Sequence, residues 1–123
     1  MSAQTRATQK RAAAVAAVNE VRLVGRISRA PEERVLPSGD AVWTFRIVVA
    51  REETGHSRQS VDALECAVWA GRVRRSVTTW GPGDVVEVTG AMRRRFYRAG
   101  AAVASRVEVE VSGGRLIRRA ASG

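Results

Sequence analysis

Residues 71–83, Gly71-Arg72-Val73-Arg74-Arg75-Ser76-Val77-Thr78-Thr79-Trp80-Gly81-Pro82-Gly83, break the rhythm of the chain around them. Val73, Val77 and Trp80 fall at i, i+4 and i+7, which puts them on one stripe of a short helix. Gly81-Pro82-Gly83 then ends that helix, because proline has no amide hydrogen to donate and fixes its own φ. On both sides of this segment apolar residues recur at every second position, the period of a strand with one buried face.

Upstream, Val61 to Trp69 reads as a strand with Leu64, Cys66 and Val68 on its apolar side and Ala63, Glu65, Ala67 and Trp69 on the other. Before it, the polar run from Glu52 to Ser60, with Gly55, reads as a hairpin loop. A further strand spans Ala41 to Arg51, where Trp43, Phe45, Ile47 and Val49 alternate with Thr44, Arg46 and Val48. Leu36-Pro37-Ser38-Gly39-Asp40 is a turn, since Pro presets one dihedral and Gly accepts positive φ. The first strand begins at Asn19, with Val21, Leu23 and Ile27 opposite Arg22, Arg26 and Ser28, and Gly25 marking a bend.

Downstream, a fourth strand runs from Asp84 to about Tyr97, with Val86, Val88 and Met92 expected inward and a bend at Gly90. A loop of small residues from Arg98 to Ala104 leads to a fifth strand. There Val107, Val109 and Val111 alternate with Arg106, Glu108 and Glu110, and the two glutamates read as the solvated side of an edge strand. Three strands, a short helix and two more strands are the chain order of the OB-fold, so the expected class is all-β, a five-stranded barrel. The expected organisation is a flexible basic arm over residues 1–18, the barrel over 19–111 and a short, frayed basic tail over 112–123.

The chain's 123 residues and 45% hydrophobic content fit one domain with a real core. Its formal charge of +9 points to a polyanionic partner, but charge alone does not separate DNA from RNA or an anionic membrane surface. Lys10 is the only lysine, so the positive charge is almost all arginine. That bias suits phosphate contacts and ring stacking, and it equally fits a GC-rich genome. Cys66 is the only cysteine, which excludes an intrachain disulfide and reads as a small buried side chain. No segment approaches the ~18 apolar residues of a membrane span, and a cytoplasmic protein is the expectation.

Catalytic chemistry finds no footing in the sequence. His56 is the only histidine and sits in a polar loop, and Cys66 has no cysteine or histidine near it in sequence, so neither a zinc cluster nor a Cys/His nucleophile can be argued. No phosphate-cradling glycine loop is present, and neither a metal nor another cofactor is expected. Nucleic-acid contact has better support. Arg93-Arg94-Arg95 abuts Phe96-Tyr97-Arg98, and single strands are held by arginines that follow phosphates and rings that stack on bases. Alternation gives Tyr97 the same face as Arg93 and Arg95, while the rival reading makes these arginines a solvated face and one ring a core residue. Trp69, off the apolar parity of its strand, is either an exposed platform or a ring tucked under the helix. Arg46 and Thr44, with Arg22 and Arg26, would extend one polar surface, whereas Trp43 and Trp80 follow core parity.

The first strand, Asn19-Glu20-Val21-Arg22-Leu23-Val24-Gly25-Arg26-Ile27, resembles that of bacterial single-stranded DNA-binding proteins. Pro31 with Leu36-Pro37-Ser38-Gly39, the segment Leu64 to Gly71, and Gly83 to Arg95 with its Gly90 resemble the same family's following elements. The resemblance runs from Asn19 to Val111 and is nearest to compact, arginine-rich actinobacterial members. It implies sequence-tolerant binding of single-stranded DNA in replication, repair or recombination, and a homo-oligomer, tetramer or dimer, whose first strands meet between subunits. It also implies stacking roles for Trp69 and Tyr97. Two departures qualify it: Ala63 stands where the family often has a stacking tryptophan, and residues 116–123 lack the acidic, hydrophobic tip that recruits partner enzymes. The residues leave two other readings open: an OB-fold module for RNA, and a protein-interaction barrel that has lost nucleic-acid binding.

Overall fold

The computed structural model describes residues 14–52, 60–69 and 71–121. Its strands are β1 (Val21–Val35), β2 (Ala41–Ala50), β3 (Val61–Val68), β4 (Val85–Ala99) and β5 (Ala102–Arg118), with helix α1 (Arg72–Val77) between β3 and β4. The strands close into a barrel in the order β1-β2-β3-β5-β4. β3 and β5 run parallel, and the other neighbours are antiparallel. This is the five-stranded OB barrel with one inserted helix that the change of period at Gly71 predicts. Most of the expected basic arm, residues 1–13, and most of the hairpin loop, residues 53–59, lie outside the described residues.

A barrel this small closes only if its strands curl. β1 serves two neighbours, pairing through Val21–Arg26 with β4 and through Arg26–Val35 with β2, and its register slips between Ile27 and Arg29. Two glycines permit the close approaches. A β-carbon on Gly25 would strike the Val48 carbonyl oxygen, and one on Gly90 the Glu110 carbonyl oxygen. Both bends expected from the sequence are therefore places where one backbone lies against another.

The core gathers Ile27, Phe45, Ile47, Val68, Val86, Val88, Val109 and Val111 from the strands and Val77 and Trp80 from the helical segment. Phe45 meets Trp80 edge-on, with centroids 5.7 Å apart and planes at 88°, the arrangement favoured by the rings' quadrupoles. Cys66 is fully buried, and burial, with Glu65 and Glu108 nearby, pushes its thiol up to about 12. It is the inert, space-filling cysteine that its sequence position suggests.

Four expectations are corrected. Met92 is exposed rather than inward, because β4 beyond Gly90 leaves the barrel wall with no core beneath it. Residues 98–104 are not a loop: β4 runs on to Ala99, turns through Gly100 at φ 64°, and β5 starts at Ala102. Glu108 is no solvated edge residue, being 4% exposed within a closed barrel. Nor is the chain after Ser112 a frayed tail. β5 continues to Arg118, with Arg115 and Leu116 opposite Glu87 and Val86. Gly114 lets the Trp80 ring press against the strand, since a β-carbon there would come within 2.7 Å of the ring. A run of Gly, Arg and Ala carries little strand signal, so this continuation depends on tertiary contacts that alternation does not report.

Asp84 fastens the end of β5 to the turn after the helix. Its carboxylate accepts from the amides of Ala120 at 2.8 Å and Gly81 at 2.9 Å and from the Arg119 guanidinium at 2.9 Å. Those donors, the Ala120 amide foremost, hold its carboxyl below the usual 3.8. A carboxyl lowered in the folded state stabilises fully above its ordinary value and progressively less as pH falls through the folded one. Asp84→Asn is therefore expected to lower the melting temperature at neutral pH, and the gap from wild type is expected to close below about pH 4. Melts of both proteins across that range test this; a gap independent of pH would remove the carboxylate's charge from the account.

Candidate nucleic-acid interface

The outer side of β2, β3 and β5 carries a trough whose two hollows share Arg34, Thr44, Arg106 and Glu108. The first hollow, about 480 Å³, is bordered by Trp69, Phe96 and Tyr97 with Arg34, Arg95 and Arg106. Chain reversal at Gly100 brings these residues together. Arg95 pairs across the hairpin with Arg106, Phe96 with Ser105, and Tyr97 with Ala104. Trp69 follows directly on β3, whose parallel pairing with β5 sets it beside the hairpin's root.

Arginines rest on two of the rings. The Arg95 guanidinium lies 5.0 Å from the Trp69 ring centroid, and that of Arg106 lies 5.9 Å from the Tyr97 centroid. Arg95 is fixed in place by Glu108 at 2.9 Å and Glu110 at 2.6 Å. Phe96 is 69% exposed and Tyr97 48%, so neither is a core residue. Trp69 is half-buried, and its indole Nε1 is shielded from solvent with no hydrogen-bond partner among the described residues. An open ring flanked by a guanidinium offers a flat surface for a base and a charge for its phosphate.

The second hollow, about 550 Å³, has a different character. Its arginines are Arg29, Arg34, Arg46 and Arg106. Its glutamates are Glu32, Glu33, Glu65 and Glu108, equal in number, so this half of the trough is neutral in a chain of +9. Glu65 accepts from Arg46 at 2.6 Å and from Arg29 at 2.7 Å. Burial acts to raise the Glu65 carboxyl, but the two guanidinium groups outweigh it and hold it below the usual range.

The structure divides the arginines and rings singled out in the sequence. Trp69, Phe96, Tyr97 and Arg95 share the first hollow, and Arg46 lies in the second. Arg93 is outside both linings, 3.4 Å from Glu110. Arg22 is bound to Glu87 at 2.6 Å beside β4, and Arg26 borders a separate hollow with Arg118 and Arg119. The single polar surface expected from parity is thus two surfaces, because β1 changes neighbours at Arg26. Arg29, Arg34 and Arg106 escaped the sequence reading. Parity sets Arg29 with the core residue Ile27, and only the register slip turns it out; Arg34 lies on a part of β1 that alternation does not mark. Arg106 alternates visibly with valines, but its place opposite Arg95 depends on the hairpin's register.

Fold and groove together define a class: a closed OB barrel with an outer trough of aromatic and arginine side chains. The chain belongs to the single-strand binding protein family, whose sequence profile matches residues 18–116. It is 35% identical over 81 residues to Single-stranded DNA-binding protein 3 of Listeria innocua, a stretch covering 65% of this chain and 51% of that protein. It is 33% identical over 81 residues to Single-stranded DNA-binding protein A of Bacillus subtilis, covering 65% of this chain and 47% of that one. The aligned stretch thus spans about half the length of these curated relatives. The solved structure of a Plasmodium falciparum SSB complex with ssDNA superposes with a TM-score of 0.64 at 22% identity, over 84% of this chain and 96% of that one, a likeness of fold.

Proposed function

We propose that this chain binds single-stranded DNA with little sequence preference and shields it during replication, repair or recombination. The observation that carries the reading is three ring-bearing residues, Trp69, Phe96 and Tyr97, around one hollow with Arg34, Arg95 and Arg106. Every base has a face that can stack, so stacking tolerates sequence, and arginine follows the backbone that all sequences share. Two curated relatives carry single-stranded DNA binding in their names. Occupancy of the trough would oppose duplex re-formation by mass action alone, with no reaction catalysed. Assembly into a homo-oligomer and a cytoplasmic location belong to the same reading; no helix among the described residues is long and apolar enough to cross a membrane.

Tryptophan fluorescence, titrated with oligo-dT, a matched RNA strand and a matched duplex at two salt concentrations, tests the proposal. The expected outcome is quenching by oligo-dT, little response to duplex, and affinity falling with salt at a slope of roughly −0.7 per phosphate engaged. Tighter binding of the RNA strand would transfer the site to RNA. No response to any strand from a folded protein would leave the barrel as a protein-interaction module.

A further inference from the structure

The second hollow holds four arginines, as a phosphate-following channel would, yet glutamates cancel their charge. Glu65 is the centre of that cancellation. It joins Arg29 of β1 and Arg46 of β2 from its place on β3, at 2.7 Å and 2.6 Å, and all three side chains are partly exposed. A carboxylate held by two guanidinium groups has the charge sign and acceptor geometry of a backbone phosphate. Exposed ion pairs of this kind are weak and exchange partners readily.

Resting on the single-strand-binding reading, we infer that Glu65 is an intramolecular rival of the nucleic-acid backbone and restrains how tightly a strand binds. It occupies Arg29 and Arg46 where a phosphate would lie. A strand entering from the aromatic half gains these two arginines only by displacing the carboxylate, which then stands as a like charge beside the phosphate. The trough therefore has a gripping half, around Trp69 and Tyr97, and a half whose hold is reduced. Binding that can be reversed suits a protein that must leave its strand when that strand is copied or paired.

The chain supplies its own control. Glu87 joins Arg22 and Arg115 at 2.6 Å and 3.1 Å in the same way, but on the β1–β4–β5 side, outside both hollows of the trough. Glu65→Gln and Glu87→Gln each raise the net charge by one and keep the side chain's shape, so the pair separates place from net charge.

The experiment measures oligo-dT affinity against salt for wild type, E65Q and E87Q, with a thermal melt of each. E65Q is expected to bind on the order of tenfold tighter, as freed guanidinium groups take phosphates. Its salt slope is expected to steepen by about 0.7 for each phosphate gained. E87Q is expected to change affinity about twofold or less, since Glu87 and its two arginines line neither hollow and salt screens charges that do not touch the strand. An unchanged or weaker E65Q overturns the inference, and so does an equal gain in both variants, which would make the effect one of net charge. If wild type itself binds no single strand, the proposed function fails first, and that result is plainly different from a binding wild type with an indifferent E65Q.

Discussion

Replacing Trp69 and Tyr97 together by alanine is expected to weaken oligo-dT binding by at least ~30-fold while the barrel stays folded. Each base–aromatic stack contributes roughly 1–3 kcal/mol. Two lost stacks at the lower bound remove about 2 kcal/mol, and every ~1.4 kcal/mol is tenfold in affinity. Trp69 is the ring beneath the Arg95 guanidinium, so its removal also takes away the surface on which that arginine is oriented. Stability is expected to change far less. Tyr97 is exposed and Trp69 only half-buried, and neither belongs to the core cluster. Phe96→Ala alone, at the most exposed of the three rings, is expected to cost affinity about as much as one stack. Titration of the variants, with a circular-dichroism melt as the folding control, decides the matter. A folded double variant that binds like wild type would move the strand off this trough.

Gly90→Ala is expected to have the largest effect on stability, about 3 kcal/mol or more, seen as a fall in melting temperature of more than ~10 °C. The added methyl would meet the Glu110 carbonyl, whose carbon lies 2.9 Å from the new atom, and the Val111 α-carbon at 3.1 Å. These are backbone atoms of the neighbouring strand, and no rotamer change moves them aside. Relief would require β4 and β5 to separate at the register slip between Thr89 and Gly90, from which the aromatic hairpin springs. Gly81→Ala supplies the contrast, since nothing lies within 4 Å of its would-be β-carbon. That variant is expected to stay within ~0.5 kcal/mol of wild type. Similar melts for the two would show that β4 and β5 part more easily at Gly90 than their geometry implies.

What the sequence made legible follows from what period and punctuation record. Val73 and Val77 marked the helix, which stops at Val77 short of the expected Trp80, and Phe45, Ile47, Val86 and Val88 marked the core, because burial on one face writes itself into spacing. Gly25 and Gly90 marked the bends because a missing side chain is visible in a one-dimensional string. The length of the β4–β5 hairpin was not legible. Residues 99–104 are small and, like Arg98, none of them is buried, so only the partner strand explains their conformation. Of the candidate site, Trp69, Tyr97 and Arg95 could be named because aromatic and basic residues off core parity are conspicuous, and Phe96 because it adjoins the run of three arginines. Their joint presence at one hollow with Arg34 and Arg106 is a matter of register, and so is the meeting of Arg29, Arg46 and Glu65 in the other. Two ion pairs that join β1 and β2 to one glutamate of β3 leave no trace in any one strand's alternation.

From Ala91 to Val107 no residue is buried, although the ladder between β4 and β5 is unbroken. Segments with few buried contacts open locally at small free-energy cost, whereas barrel walls open only with the whole. The trough's two banks therefore differ mechanically: Trp69 is anchored at the end of a wall strand, while Phe96 and Tyr97 ride near the tip of a cantilever. A purine and a pyrimidine differ in the width of the plane they offer. A jaw with one compliant side would close on either, and the tolerance of sequence proposed above would then be a property of elasticity as much as of chemistry.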